Sequence, residues 1–232
     1  VQSFVLFPAV EESLKDKKAS YSYSPKNFYL KAVSEFKKKF PEACFISDVA
    51  MDPYSSDGHD GFVENGQIVN DKTLPILAKM AIAQAEAGFD MIELQAHHGF
   101  LLATFLSPLT NIRKDKFGGS IENRLKFPIQ VFVAMREVFN ENKPMSVRIS
   151  ASDWAENGIT EDEVVIIANA FKNAGADIIN VSTGNTVENQ QPQIGRMWQT
   201  PFSDLVRNET HIPTITTGYI QDIDQINTIL LN

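Results

Sequence analysis

The chain has 232 residues, 43% of them hydrophobic, with a formal net charge of −8 and a sequence pI near 5.0. That length and apolar content suffice for one sizeable core, and the acidic balance, with no basic block, argues against nucleic acid or an anionic membrane as partner. One cysteine, Cys44, excludes an internal disulfide and a multi-cysteine zinc site and is expected to be a plain core thiol.

The start, "VQSFVLFPAVEES", has neither a basic n-region nor a long apolar stretch, so it does not read as a signal peptide. The longest apolar runs, Phe4–Phe7 and Val164–Ala168, are too short to span a bilayer. A cytoplasmic protein is expected. Because the first residue is Val, the sequence is expected to be a fragment or trimmed.

Strands are predicted at 3–7, 44–49, 91–95, 145–150, 177–182 and 213–217. Most are continuous apolar runs, as parallel strands covered on both faces require. Between them lie helical stretches. "NDKTLPILAKMAIAQAEAG" tolerates Pro75 in its first turn and stops at Gly88. "SIENRLKFPIQVFVAMREVF" begins at Ser120, and Pro128 should kink or divide it. "TEDEVVIIANAFKNAG" carries a capping box, Thr160 with Glu163, and stops at Gly175. A last helix is expected in "DIDQINTILL".

Strands alternating with helices mean β/α units on a parallel sheet. The fold class is therefore α/β, a TIM (β/α)8-type barrel that is incomplete, with about six units where a full barrel has eight. Six strands in order would leave two exposed sheet edges, a route to oligomers.

The block "HHGFLLATFLSPLTNIRKDKFGGSIENRLKFPIQVFVAMREVF", continued by "MSVRISASDWAENGIT", "ADIINVSTGN" and "GRMWQTPFSDLVRNE", resembles the old yellow enzyme family of FMN-dependent oxidoreductases. Its nearest likeness is to the flavin-reductase-like domain of anthraniloyl-CoA monooxygenases. The resemblance implies FMN as cofactor and hydride transfer from the flavin to an enone. Two neutral donors hold the enone oxygen, and a Tyr hydroxyl supplies a proton. In the family these groups form His-x-x-His/Asn-Gly-Tyr. Here the aligned run is Gln95, Ala96, His97, His98, Gly99, Phe100. His98 matches the second donor. Gln95 stands at the first, where its amide can still donate. Phe100 stands at the acid and has no proton to give. His97 has no family role and reads as packed or solvated.

Arg148, in "VRIS", matches the family's strand-borne Arg beside the flavin; its bland reading is a salt bridge in the barrel mouth. Gly218, in "TITTGYI", matches a loop whose N–H groups cradle the FMN phosphate. Arg113 and Arg124 read as structural, tied to carboxylates such as Asp115 and Glu122. The family's first strands and its last, with a Gly-Arg completing the phosphate clamp, have no match in the chain. From those losses a chain that purifies colourless and lacks ene-reductase turnover is expected.

Upstream, "SDVAMDPYSSDGHDG" followed by "NDKTL" resembles porphobilinogen synthase (aminolaevulinate dehydratase), also a β/α barrel. Where zinc-dependent members carry three cysteines, Ala50, Asp52 and Asp60 stand here, so no bound metal is expected. Asp48, Asp52, Asp57, Asp60 and His59 otherwise make an oxygen-rich loop, a cation site or simply a solvated turn. The family's two active-site lysines have no match after residue 90. The expected organisation is a porphobilinogen synthase-like segment, 1–90, joined to an old yellow enzyme-like segment, 91–232, as one barrel-like domain. Both families share A-x-A-G-[FA]-D at Ala85–Asp90, which keeps the helix–Gly–strand joint intact. An FMN oxidoreductase acting on a small molecule, degenerate or incomplete, is the leading function. A porphobilinogen synthase-like fragment and a non-catalytic chimeric barrel fragment stand as alternatives.

Overall fold

The computed structural model describes residues 3–231. They form β1 (Ser3–Leu6), α1 (Phe28–Lys39), β2 (Cys44–Val49), β3 (Val63–Glu64), β4 (Gln67–Ile68), α2 (Asn70–Ala87), β5 (Met91–Ala96), α3 (Leu101–Leu106), α4 (Ile121–Val138), β6 (Met145–Ser150), α5 (Glu161–Asn173), β7 (Ile178–Ser182), α6 (Thr200–Thr210), β8 (Thr214–Thr216) and α7 (Ile223–Leu231). The long strands pair parallel and alternate with helices, so the class is α/β of the TIM-barrel type. The chain divides into two compact units, 1–95 with 130–145, and 96–129 with 146–232.

In the first unit β1 pairs with β2, and β2 with β5, both parallel. Tyr29, Val33, Phe45, Ala87 and Phe89 form a core cluster there, with Tyr29 and Phe89 rings 5.5 Å apart. Gly88 ends α2 in the left-handed region, at φ 100°. Two residues later, Asp90 accepts the Phe45 N–H at 2.9 Å and the Lys37 ammonium at 3.0 Å. The shared A-x-A-G-[FA]-D joint thus closes a helix and fastens the start of β2.

In the second unit β6, β7 and β8 pair parallel, with Ser150 opposite Ser182. Thr160 caps α5 by accepting the Glu163 N–H at 3.2 Å. The Glu163 carboxylate, however, pairs with the buried Arg124, which also donates to the Leu106 carbonyl. Arg124 was expected to find a nearer carboxylate such as Glu122; burial makes the bond to α5 the better one. Arg113 does take Asp115.

Two proline expectations need correction. α4 continues as one helix across Pro128, so the proline does not divide it. Pro75 lies in the second turn of α2, not the first. A proline removes one N–H donor, and each of these helices keeps enough packed length on both sides to continue. Cys44 is half-buried rather than in the core, at the first position of β2.

Candidate functional site

The family-like motif begins on β5 and ends at α3. Gln95 is half-buried on β5, in the first unit. His98, Arg148 and Gly218 lie in the second unit. His98 takes φ 51° and Gly99 φ 74°. A Cβ on Gly99 would sit 2.8 Å from the Asn185 carbonyl oxygen, so the chain can turn here only with glycine. Phe100 then serves as N-cap of α3, with an extended backbone.

Ser150, at the end of β6, accepts the His98 N–H at 2.9 Å and donates to the Gly184 carbonyl at 3.3 Å. Ser182, at the end of β7, lies 2.8 Å from His98 Nε2. The imidazole also bonds the backbone of Thr183. His98 is thus anchored at the C-terminal ends of two parallel strands, where α/β folds place their ligand sites.

The electrostatics run one way. Burial and the Arg148 charge bring His98 down to about 4. Burial, His98 and Arg148 bring His97 down to about 2. Both imidazoles are therefore neutral at ordinary pH, and each offers one donor and one acceptor. His97 is 3% exposed and its ring centroid lies 4.0 Å from that of His98. The expectation of a packed or solvated His97 resolves to a buried one.

Arg148 occupies the middle of β6 and is half-buried. Its Nε is buried without a hydrogen-bond partner. None of the ion pairs among the described residues involves it. The expected alternative, a salt bridge in the barrel mouth, is therefore not what holds it. A guanidinium in this setting is costly without an anion. Arg148 and the two histidines of the motif form one electrostatic cluster.

Gly218 follows β8 at φ 101°, and a Cβ there would meet Trp198 Cδ1 at 2.8 Å. Packing alone explains the glycine. Trp198 stacks on Trp154 at 5.8 Å, and Phe202 meets Trp154 edge-on at 5.6 Å. Sequence reading singled out none of these three aromatics.

The acidic loop of the first unit is not simply solvated. Asp60 is buried and accepts the N–H groups of Met51 and Asp52 at 3.1 and 3.2 Å. Burial and the neighbouring Asp52 carboxylate raise it to about 7. Among the described residues no group of three or more His, Cys, Asp or Glu is placed to hold a metal ion. Of the later lysines, Lys143 donates to the Phe89 carbonyl and Lys172 to that of Thr210.

The sequence model of the NADH:flavin oxidoreductase / NADH oxidase family matches residues 77–232. The chain belongs to that family. A second model, delta-aminolevulinic acid dehydratase, matches residues 1–96. The two matches overlap across 77–96, which contains the shared joint at Ala85–Asp90. An NADPH dehydrogenase of Clostridium acetobutylicum is 41% identical over 163 residues, covering 69% of this chain and 48% of that protein. One from a Geobacillus strain is 40% identical over 162 residues, covering 70% and 47%. The chain spans about half the length of these relatives. Among solved structures, a 2-naphthoyl-CoA reductase complex superimposes with a TM-score of 0.74 at 16% identity, over 100% of this chain and 46% of that one. Delta-aminolevulinic acid dehydratase from Toxoplasma gondii gives 0.62 at 23%, over 93% and 58%. At these identities the likeness speaks for the fold alone.

Proposed function

We propose that this family member is part of an FMN-dependent NAD(P)H oxidoreductase acting on a small molecule, with an upstream segment like porphobilinogen synthase, 1–90, and a flavin-site segment, 91–232. The observation that carries the reading is Arg148: a half-buried guanidinium, its Nε unpartnered, beside two neutral imidazoles. These residues fit a flavin. Arg148 would hold the ring edge where negative charge gathers on reduction, and the Gly218 N–H would face the phosphate. Bound FMN supplies hydride transfer between a nicotinamide and the substrate.

The protein's own contribution is binding, orientation and neutral donors. Arg148 offers fixed positive charge in a partly buried setting, where it acts more strongly than in water. By resemblance, Gln95 stands at the motif's first donor position and His98 at its second. Phe100 withholds the hydroxyl that would protonate the substrate carbon, so reduction of enones is slow. The NADPH dehydrogenase relatives support NADPH as donor. No helix among the described residues is long and apolar enough to cross a membrane. We place the protein in the cytoplasm, with small molecules rather than nucleic acid or membranes as partners. The exposed Phe4 and Val5 on edge strand β1 support self-association.

Titration of the purified chain with FMN, followed by flavin fluorescence, tests the reading. Saturable quenching that Arg148→Ala removes is the expected result. Quenching unchanged in Arg148→Ala, or none at millimolar FMN, overturns it.

A further inference from the structure

His97 stands apart from every other polar side chain in the motif. Its ring is 3% exposed, yet Nδ1 is buried without a hydrogen-bond partner. Buried polar groups are nearly always satisfied, and one left unmade is costly. Its neighbour is in the opposite state. His98 has its N–H on Ser150, its Nε2 on Ser182 and a ring bond to the Thr183 backbone. The imidazole at the motif's donor position is thus committed within the protein. The uncommitted one is the residue beside it.

Arg148 supplies the second half of the argument. Its charge is close enough to both imidazoles to help hold them neutral. Its own Nε is buried and unpartnered. Two N–H-capable atoms, Arg148 Nε and His97 Nδ1, therefore lie in one electrostatic neighbourhood with no hydrogen-bond partner among the described residues. A neutral imidazole protonated on Nδ1 can donate without adding a second positive charge next to the guanidinium. The Phe100 ring packs beside that of His97, centroid to centroid 5.9 Å, so the surroundings of the imidazole are apolar on that side.

We propose that His97 contacts the ligand directly. With Arg148 it forms a two-donor site for a planar ring bearing an imide-like edge, on whose oxygen or nitrogen negative charge gathers. His98 and the serines behind it then hold the loop that presents His97. The inference rests on the FMN reading and assigns His97 to that site as the neutral donor.

The experiment is an FMN titration of the full chain by fluorescence, with His97→Ala, His97→Asn, Arg148→Ala and the surface control His59→Ala, each checked for folding by circular dichroism. Loss of one hydrogen bond to a charge-bearing atom weakens binding by about tenfold to hundredfold. That loss is expected for His97→Ala, with partial recovery in His97→Asn, whose amide keeps a neutral donor, and wild-type affinity in His59→Ala. In ¹⁵N spectra of the wild type, the His97 Nδ1 resonance is expected to move on saturation with FMN. If His97→Ala binds as tightly as wild type while Arg148→Ala does not, the FMN reading stands and His97 is excluded from the site. If wild type binds no FMN, both fall. Should His97→Ala fail to fold, the spectra and His97→Asn decide: an unmoved Nδ1 resonance at saturation overturns the proposal.

Discussion

Ser182 Oγ lies 2.8 Å from His98 Nε2, and Ser182 pairs in register with Ser150, whose Oγ accepts the His98 N–H. Two serines at one level of adjacent strands thus fix a single histidine, one by its ring and one by its backbone. The backbone tie matters because His98 sits at φ 51°, a conformation that side chains other than glycine adopt at a cost. Ser150→Ala and Ser182→Ala should each destabilise the chain by about 1 kcal/mol. The double variant should cost a different amount from the sum, since both act on one residue. Urea unfolding midpoints of the three variants check this; strictly additive effects would count against a shared anchor.

The pH dependence of stability follows from three groups with opposite signs. His97 and His98 are held at about 2 and about 4, well below the free imidazole near 6.5. As pH falls through 6.5 the unfolded chain takes up these protons first, so their contribution is lost on acidification. Asp60 is raised to about 7 from a model-peptide value of 3.8. The native state keeps its proton after the unfolded chain has released it. Its contribution is present below about 3.8 and is lost as pH rises through 7. Between pH 5 and 7 the two effects oppose. The Tm of Asp60→Asn should therefore climb with pH more steeply than that of wild type, and the Tm of His97→Asn less steeply. Thermal unfolding at half-unit steps from pH 5 to 8 reads both slopes.

Arg124 is 2% exposed and bonds the Glu163 carboxylate and the Leu106 carbonyl. Arg124→Ala would strand both partners. Removing one member of a buried pair typically costs about 3–5 kcal/mol, because the remaining charge is left in a poor solvent. A loss of that size in denaturant melts is expected. An effect below about 1 kcal/mol would mean that water reaches Glu163 freely.

Much of this fold was legible because its signals are local. The spans 44–49 and 145–150 coincide with β2 and β6, and Gly88 and the Thr160 cap fall where their chemistry requires. The Asn65–Gly66 hairpin between β3 and β4 carries the usual two-residue turn signal, but its flanking strands are only two residues long, too short for an alternating pattern to mark them. Arg124's choice of Glu163 over Glu122 was out of reach, because it depends on which helix packs behind the loop. The same holds for the site. Arg148 could be picked from its place in a buried run. The uncommitted state of His97, and the commitment of His98, depend on Ser150 and Ser182, 50 and more residues away along the chain. Trp154, Trp198 and Phe202 are brought together only by the loops that follow β6 and β7 and by α6.

Gly218 offers a check on packing as against ligand binding. Its φ of 101° and the 2.8 Å approach of Trp198 both forbid a side chain. Gly218→Ala should destabilise the chain by more than about 1 kcal/mol even without ligand. A fall in FMN affinity with no fall in Tm would instead show that the turn serves the ligand alone.

Phe100 gives the sharpest functional test. Phe100 is the N-cap residue of α3 through its backbone, and its ring lies 5.9 Å from that of His97, beside the residues assigned to the flavin site. A phenyl ring has no proton to give, so on the proposed reading position 100 cannot serve as the acid for the substrate carbon. Phe100→Tyr adds one oxygen at a half-buried position and leaves the ring, the φ of the cap and the turn at Gly99 unchanged. A positioned general acid is worth about 10²–10⁴ in rate, and a hydroxyl introduced without a supporting partner should recover the lower part of that range. NADPH-dependent reduction of a simple cyclic enone should therefore rise by about tenfold to hundredfold in Phe100→Tyr at saturating FMN, with the oxidation of NADPH by oxygen unchanged. The pairing of the two measurements separates causes: the oxygen reaction needs no carbon acid, so a rise in both would point to better flavin binding. If enone reduction stays at the wild-type level while FMN is bound, position 100 does not face the substrate carbon, and the alignment of this motif with the family's catalytic tyrosine is wrong for this chain.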